Sequence, residues 1–120
     1  MGADHARRLA SRIVEARLSA VADPDVERAQ ALADELGGVG GPVRVHADPL
    51  DLIVDPEVDA VVLASPGSVH EEQLLACFER GVHVLCEKPL TMDSASSLRV
   101  IEAERAVGRP LVQVGFMRRF

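Results

Sequence analysis

The sequence predicts an α/β fold, a Rossmann-like doubly wound parallel sheet. Segments with strand and helix patterns alternate along almost the whole chain, as expected for repeated βα units. Hydrophobic residues make up 48% of the chain and aromatic residues only 2%, so the candidate strands are aliphatic. Aliphatic, β-branched strands suit a parallel sheet that helices cover on both faces.

The composition limits the classes of protein that need to be considered. At 120 residues, the chain provides one small domain at most, and we take residues 1–120 as a single, incomplete domain. A net charge of −6 disfavours nucleic acid as a partner. No apolar run approaches the ~20 residues of a membrane helix and no signal peptide is recognisable, which predicts a cytoplasmic protein without a membrane partner. Cys77 and Cys86 fit neither a disulfide framework nor a metal site.

In the first half, apolar residues recur at helical spacing over residues 4–16 and predict a helix. An aliphatic strand over residues 17–22 follows. Asp25 is placed to cap a helix over residues 26–36, which Gly37-Gly38 is predicted to end. The next predicted elements are a strand over residues 43–46 and a short helix over residues 49–54.

In the second half, residues 58–64 form the most apolar strand, predicted to be central in the sheet. Ser68 is placed to cap a helix over residues 69–80 that ends at Gly81. The remaining predicted elements are a strand over residues 83–86, a helix capped by Asp93 or Thr91 and stopped after Val107 by Gly108, and a strand over residues 111–116.

The predicted order starts with a helix, whereas a Rossmann fold starts with a strand, so we predict that the first strand is absent. That strand normally lies between the second and fourth strands. Its loss is predicted to leave two strand edges with unpaired backbone groups, and we expect the chain alone to be unstable, aggregation-prone or partly unfolded.

Two residues are candidates for a dinucleotide site. Gly2 precedes the first helix, where the last glycine of a G-x-G-x-x-G turn would lie, although an ordinary flexible start explains one glycine as well. Asp23 follows the next strand, 21 residues later. An acid at this separation accepts hydrogen bonds from the adenosine ribose and repels the 2′-phosphate of NADP, which favours NAD. The alternative is a plain turn, but Asp25 can do the capping and leave Asp23 available.

The loop that starts with Ser65 and Pro66 follows a predicted strand and is expected beside the nicotinamide half of a dinucleotide. Pro66 stiffens this loop, and Gly67 permits a close approach of the backbone. His70 lies in the first turn of the next helix and is a further candidate, although by itself a structural or solvated role explains it better.

The run Cys86-Glu87-Lys88-Pro89 ends an apolar strand on an acid, a base and a proline. Ligands bind at the carboxyl ends of strands in open α/β sheets. We therefore predict that Lys88 is catalytic and contacts a substrate hydroxyl, against the alternative of an exposed turn lysine. Glu87 is predicted to fix the loop, and the tight exit from the strand suggests a cis Lys88–Pro89 bond.

Together these residues resemble the Gfo/Idh/MocA oxidoreductase family. The resemblance is carried by Asp23, residues 58–66, His70-Glu71 and residues 86–90, while residues 114–120 are most similar to its inositol 2-dehydrogenase branch. It implies an NAD-dependent oxidation of a secondary alcohol of a cyclic polyol or sugar, in which Lys88 orients the hydroxyl and the Met117-Arg118 region borders the nicotinamide. The candidate cofactor-binding residues are Gly2, Asp23, Ser65, Pro66, His70, Glu87, Lys88, Met117 and Arg118.

The resemblance also implies a second domain, absent here, that carries the Asp and His of the proton relay and builds a homo-oligomer. We therefore expect this chain alone to be inactive. Two alternatives stay open: a non-catalytic nucleotide-binding or interaction module, and a sugar dehydrogenase of another branch of the family.

Overall fold

A computed structural model describes residues 1–116, apart from the side chain of Val39. Helices and parallel strands alternate, which confirms the α/β class. The chain divides into two compact units, Met1–Val58 and Asp59–Phe120. The elements are α1 (Gly2–Ser11), β1 (Ala20–Ala22), α2 (Val26–Gly40), β2 (Arg44–His46), α3 (Pro49–Val54), β3 (Ala60–Leu63), α4 (Gly67–Arg80), β4 (His83–Glu87), α5 (Ser94–Val107) and β5 (Val112–Gly115).

The first unit contains a parallel pair of strands. β1 pairs with β2, with Ala20 opposite Arg44 and Ala22 opposite His46. α2 packs on both strands and α1 packs on α2. The buried side chains of this unit are small or aliphatic: Ala6, Ala29, Ala33, Leu36, Ile53 and Val58.

The second unit contains a parallel sheet of three strands in the order β3-β4-β5. Alternate residues of β3 and β4, such as Val61 and Leu63, are buried, because successive side chains of a strand point to opposite faces. α4 packs on both of these strands and on α5, and it buries Leu74 and Phe78. Since all three strands run in the same direction, their carboxyl ends meet at one edge of the sheet.

Several predicted helix ends are confirmed. Asp25 caps α2 and accepts a hydrogen bond from the Arg28 backbone N–H at 3.1 Å. Asp93, one of the two predicted caps, caps α5 and accepts from Ser96 N–H at 2.7 Å. Gly81 and Gly108 end α4 and α5 with φ angles of 78° and 85°, a conformation that glycine adopts without steric cost.

Two other predicted helix boundaries are wrong. α2 continues through Gly37 and Gly38 to Gly40 and ends at Gly41, where φ becomes 102°. A glycine inside a helix costs less than about 1 kcal/mol relative to alanine, which does not by itself stop a helix. Ser68 does not cap α4, because the helix begins at Gly67, two residues earlier than predicted, and Pro66 takes the cap position without a side-chain hydrogen bond.

The first helix and four of the five strands are shorter than predicted: α1, for example, is Gly2–Ser11 instead of residues 4–16, and β1 is Ala20–Ala22 instead of residues 17–22. The strand β4, His83–Glu87, is one residue longer than the predicted residues 83–86. β3 is also not central, since β4 lies in the middle of its sheet. Within residues 1–116, β1 pairs only with β2 and β3 only with β4, so each has one unpaired edge. These are the two strand edges that the sequence predicts to lack a partner.

Candidate functional site

The predicted site residues of the second unit meet at the carboxyl edge of its sheet. Ser65 and Pro66 follow β3, while Glu87 ends β4 and Lys88 follows it. His70, from α4, lies between these two loops. Its Nδ1 is 2.8 Å from the Pro89 carbonyl oxygen and its Nε2 is 2.9 Å from the Ser65 carbonyl oxygen. The structure thus brings five of the predicted residues together.

Lys88 is the only lysine in the chain, and its side chain is exposed. The Lys88–Pro89 peptide bond is cis, as the sequence suggests. Lys88 lines an open cavity of about 550 Å³ together with Pro89, Leu90, Val114 and Phe116. The other four described lining residues are apolar, so among the described residues of that surface the Lys88 ammonium is the single charged group. It is well placed to donate a hydrogen bond to a polar ligand.

Glu87 differs from its neighbour in being buried, with 5% of its surface exposed. It lies opposite Gly115 across the β4–β5 pair. A Cβ atom on Gly115 would lie 3.5 Å from each of the Glu87 carboxylate oxygens, an ordinary van der Waals distance, so the Glu87 side chain lies directly against Gly115. Glu87 does not line the cavity. Its role in fixing the loop stays a prediction.

The loop after β3 is held from inside its own unit. The Ser65 hydroxyl donates to Gln73 Oε1 at 2.5 Å, and Gln73 is buried. A Cβ atom on Gly67 would lie 2.8 Å from Pro89 Cγ, so this loop directly contacts the Lys88–Pro89 turn. Neither contact is predicted by the sequence. The only sequence signal was that Gly67 permits a close approach.

Gly2 and Asp23 belong to the first unit. Gly2 is the exposed first residue of α1. The Asp23 carboxylate, just after β1, accepts from the Asp25 N–H at 2.9 Å. It is also bound by Arg28, whose Nε lies 3.0 Å from Oδ2 and whose Nη2 lies 2.8 and 2.7 Å from Oδ1 and Oδ2.

The expectation that Asp23 would have no other partner is therefore wrong, although Asp25 does cap α2 as predicted. The Asp23 side chain is 27% exposed, and that of Arg28 is 69% exposed. The hydrogen bonds to Asp23 raise the pKa of the Arg28 guanidinium. The Asp23 carboxylate keeps a partly exposed surface beside Arg28, so it can be reached from solvent.

The candidates Met117 and Arg118 lie outside the described residues. Within the part of the chain that the structure describes, no group of His, Cys, Asp and Glu side chains is arranged to hold a metal ion. In the same part, no helix is long and apolar enough to cross a membrane.

Comparison with known proteins agrees with this fold. Residues 1–116 match the family model described as an oxidoreductase family with an NAD-binding Rossmann fold, Gfo/Idh/MocA. The chain therefore belongs to this family. It is 61% identical over all 120 residues to inositol 2-dehydrogenase 4 of Saccharopolyspora erythraea and 53% identical to inositol 2-dehydrogenase of Rhodococcus jostii.

A solved structure, the myo-inositol dehydrogenase of Lactobacillus casei in complex with NAD(H) and myo-inositol, superposes on the whole chain with a TM-score of 0.92 and 32% identity. The chain spans about a third of the length of these relatives: 34% of the S. erythraea protein, 32% of the R. jostii protein and 34% of the L. casei chain.

Proposed function

We propose that this chain is the NAD-binding part of an inositol 2-dehydrogenase, which oxidises one ring hydroxyl of a cyclic polyol to a ketone. The observation that carries the proposal is the position of Lys88. An exposed ammonium lies on a cavity whose other described lining residues are apolar, at the carboxyl edge of a parallel sheet, where α/β proteins bind ligands. The chain also shares 61% identity with a protein named inositol 2-dehydrogenase 4.

The described residues of the first unit suit a dinucleotide. Asp23 offers a partly exposed carboxylate after β1, and two carboxylate oxygens are suitable acceptors for the vicinal hydroxyls of the adenosine ribose. Gly2 is at the start of α1, where backbone N–H groups and the helix dipole favour a pyrophosphate. When bound, NAD supplies the hydride acceptor.

Lys88 is the residue of this chain that acts on the substrate. Its Nζ donates a hydrogen bond to the oxygen of the reacting hydroxyl and so orients the carbon–hydrogen bond that is broken. Among the described residues that line the cavity, Lys88 alone is titratable. Its ammonium stabilises the negative charge that grows on the oxygen, while the hydroxyl proton passes to a further acid–base group within hydrogen-bond reach.

The proposal extends to three points that the resemblance or the sequence suggests. We propose a cytoplasmic location, supported by two cysteines that are both free. We also propose a homo-oligomer for the full-length enzyme, which light scattering after size exclusion would test.

The nicotinamide side of the site is proposed to be shaped by four residues that lie at the edge that carries Lys88: Ser65, Pro66, His70 and Glu87.

A chimera tests the function. Residues 1–120 replace the aligned segment of the S. erythraea relative, and NAD reduction is followed with myo-inositol as substrate. We expect turnover by the chimera, and a loss of about 10²–10⁴-fold in kcat in its Lys88→Met variant. Arg105→Met is the matched control, because it removes an equally exposed cation from the end of α5.

Each outcome identifies a different function. A chimera that oxidises glucose-type sugars but not inositol would place the chain in another branch of the family. A folded chimera that binds NAD and oxidises none of these alcohols would favour a non-catalytic nucleotide-binding module. Equal loss of kcat in the Lys88→Met and Arg105→Met variants would contradict the role of Lys88.

A further inference from the structure

The first turns of α4 hold the Lys88–Pro89 turn at two points. His70 is completely buried, and its Nδ1 lies 2.8 Å from the Pro89 carbonyl oxygen. Three residues earlier, Gly67 packs on the Pro89 ring so closely that a Cβ atom there would lie 2.8 Å from Pro89 Cγ. Both the ring and the carbonyl of Pro89 are therefore fixed by the same helix.

The contact through His70 is a hydrogen bond to the Pro89 carbonyl oxygen. Pro89 has no N–H, so its carbonyl oxygen is the only backbone group through which it can be hydrogen-bonded. The His70 ring supplies the donor when Nδ1 carries the hydrogen. Its other nitrogen lies 2.9 Å from the Ser65 carbonyl oxygen. The Cys86 sulfur lies 3.4 Å from Nδ1, so the ring is enclosed by the two loops and β4.

Lys88 is the residue between these fixed points. On one side, Glu87 pairs with Gly115 within the sheet. On the other side, Pro89 is fixed by α4. The direction in which the Lys88 side chain leaves the sheet is therefore set by two anchors, one of which is the His70 hydrogen bond.

We infer that His70 is a positioning residue for Lys88, acting through the Pro89 carbonyl without contact with substrate or cofactor. The inference rests on the proposed function only for the role of Lys88 at the substrate, which is to orient the reacting hydroxyl. The link between His70 and Lys88 is geometric and can be tested independently of that function.

Two variants separate the two hydrogen bonds of the ring. In His70→Asn, the amide nitrogen lies near the position of Nδ1 and can still donate to Pro89. In His70→Gln, the longer side chain carries its amide nitrogen near the position of Nε2 and can still donate to Ser65. Cys77→Ala is the control, because Cys77 is completely buried in the same helix, about 10 Å further along its axis.

The first readout is steady-state kinetics in the chimera. We expect His70→Gln to lower kcat about ten- to a hundredfold, as misplaced reacting groups do, with the KM for inositol and the Kd for NAD unchanged. His70→Asn and Cys77→Ala should retain the kcat of the parent. Equal kcat values for His70→Asn and His70→Gln would overturn the inference, as would a loss of NAD binding in both.

The second readout needs no activity. Reductive methylation of the chimera with labelled formaldehyde gives NMR signals for its lysines, and the Lys88 signal is the one missing from the Lys88→Met variant. We expect this signal to shift in His70→Gln and to keep its parental position in His70→Asn and Cys77→Ala. If the parental chimera does not oxidise inositol, the proposed function fails and this signal decides the inference. An unchanged signal in His70→Gln, or equal shifts in both His70 variants, would overturn it.

Discussion

Gly67 and Pro89 are in direct contact, and this contact joins the loop after β3 to the turn after β4. A Cβ atom on Gly67 would lie 2.8 Å from Pro89 Cγ and 3.2 Å from Met92 Sδ. The proline ring cannot move as the end of a flexible side chain does. The absence of a side chain at residue 67 is therefore a condition for the position of Lys88.

We predict that Gly67→Ala lowers the free energy of unfolding by about 1–3 kcal/mol, the usual cost of overpacking. It should also lower kcat in the chimera, because the turn that carries Lys88 must shift. Gly38→Ala is the matched control: it is also a helical glycine, but a Cβ atom there has no neighbour within 4 Å. That variant should be stabilised by about 0.5–1 kcal/mol. Urea denaturation of both variants checks the prediction, and stabilisation of Gly67→Ala would contradict it.

The ion pair between Asp23 and Arg28 predicts how cofactor preference responds to mutation. Asp23→Ser removes the ribose acceptor and releases Arg28, whose guanidinium can then bind a 2′-phosphate. We expect the Kd for NAD to rise about ten- to a hundredfold, as for loss of a hydrogen bond to a charged group, and the Kd for NADP to fall.

Titration calorimetry of the chimera with both dinucleotides measures this change. In the double variant Asp23→Ser, Arg28→Ala, the gain in NADP affinity should disappear. Arg7→Ala is the control, since Arg7 forms a similar exposed ion pair with Glu35, with Nε 2.8 Å from Oε1. A gain in NADP affinity that persists without Arg28 would show that Arg28 does not bind the phosphate.

The cap of α5 predicts a pH dependence of stability. Hydrogen bonds from the Ser96 backbone N–H and side chain hold the pKa of Asp93 below its ordinary value of 3.8. Because the pKa is lower in the folded state, the stabilisation is present above pH 3.8 and is lost as the pH falls through the folded-state value. We expect Asp93→Ala to lower the melting temperature at neutral pH and to lose this difference in acid.

Asp93→Asn is the control for charge, because asparagine is also a good helix cap but does not titrate in this range. Its melting temperature at neutral pH should lie closer to the parent than that of Asp93→Ala. Melting curves at several pH values measure these differences. A difference between the parent and Asp93→Ala that persists in acid would contradict the assignment.

The two cysteines are predicted to be unreactive in the folded chain. Burial raises the pKa of Cys77 to about 12 and that of Cys86 to about 11, so almost no thiolate is present at neutral pH. Both side chains are also completely buried. We expect no iodoacetamide adduct under native conditions and two in urea, counted by mass spectrometry. Rapid native labelling of either thiol would show that the second unit opens.

Features that depend on local geometry were predicted correctly from the sequence. The acids Asp25 and Asp93 cap helices because their side chains reach N–H groups three residues later in the chain. Gly81 ends α4 because glycine adopts a positive φ that other residues avoid. The cis bond before Pro89 was suggested by a strand that ends directly on a proline.

Features that depend on a balance of opposing energies, or on residues far apart in the sequence, are predicted less well. Gly37-Gly38 has the composition of a helix stop, but α2 continues to Gly40 because the cost of a helical glycine is small. Asp23 was expected to lack a partner, but the helix that Asp25 caps also brings Arg28 to its carboxylate. Neither outcome follows from residue type alone.

The sequence by itself determined the α/β class, the family and the position of Lys88 directly after a strand, since these depend on pattern and on neighbours along the chain. Only the tertiary structure decided that His70 is a buried link between the Ser65 and Pro89 carbonyls, and that Glu87 lies over Gly115. The physical reason is that a side chain's hydrogen-bond partners are set by which elements pack together. Ser65 and Pro89 are separated along the chain, and the packing of α4 brings them to the same imidazole.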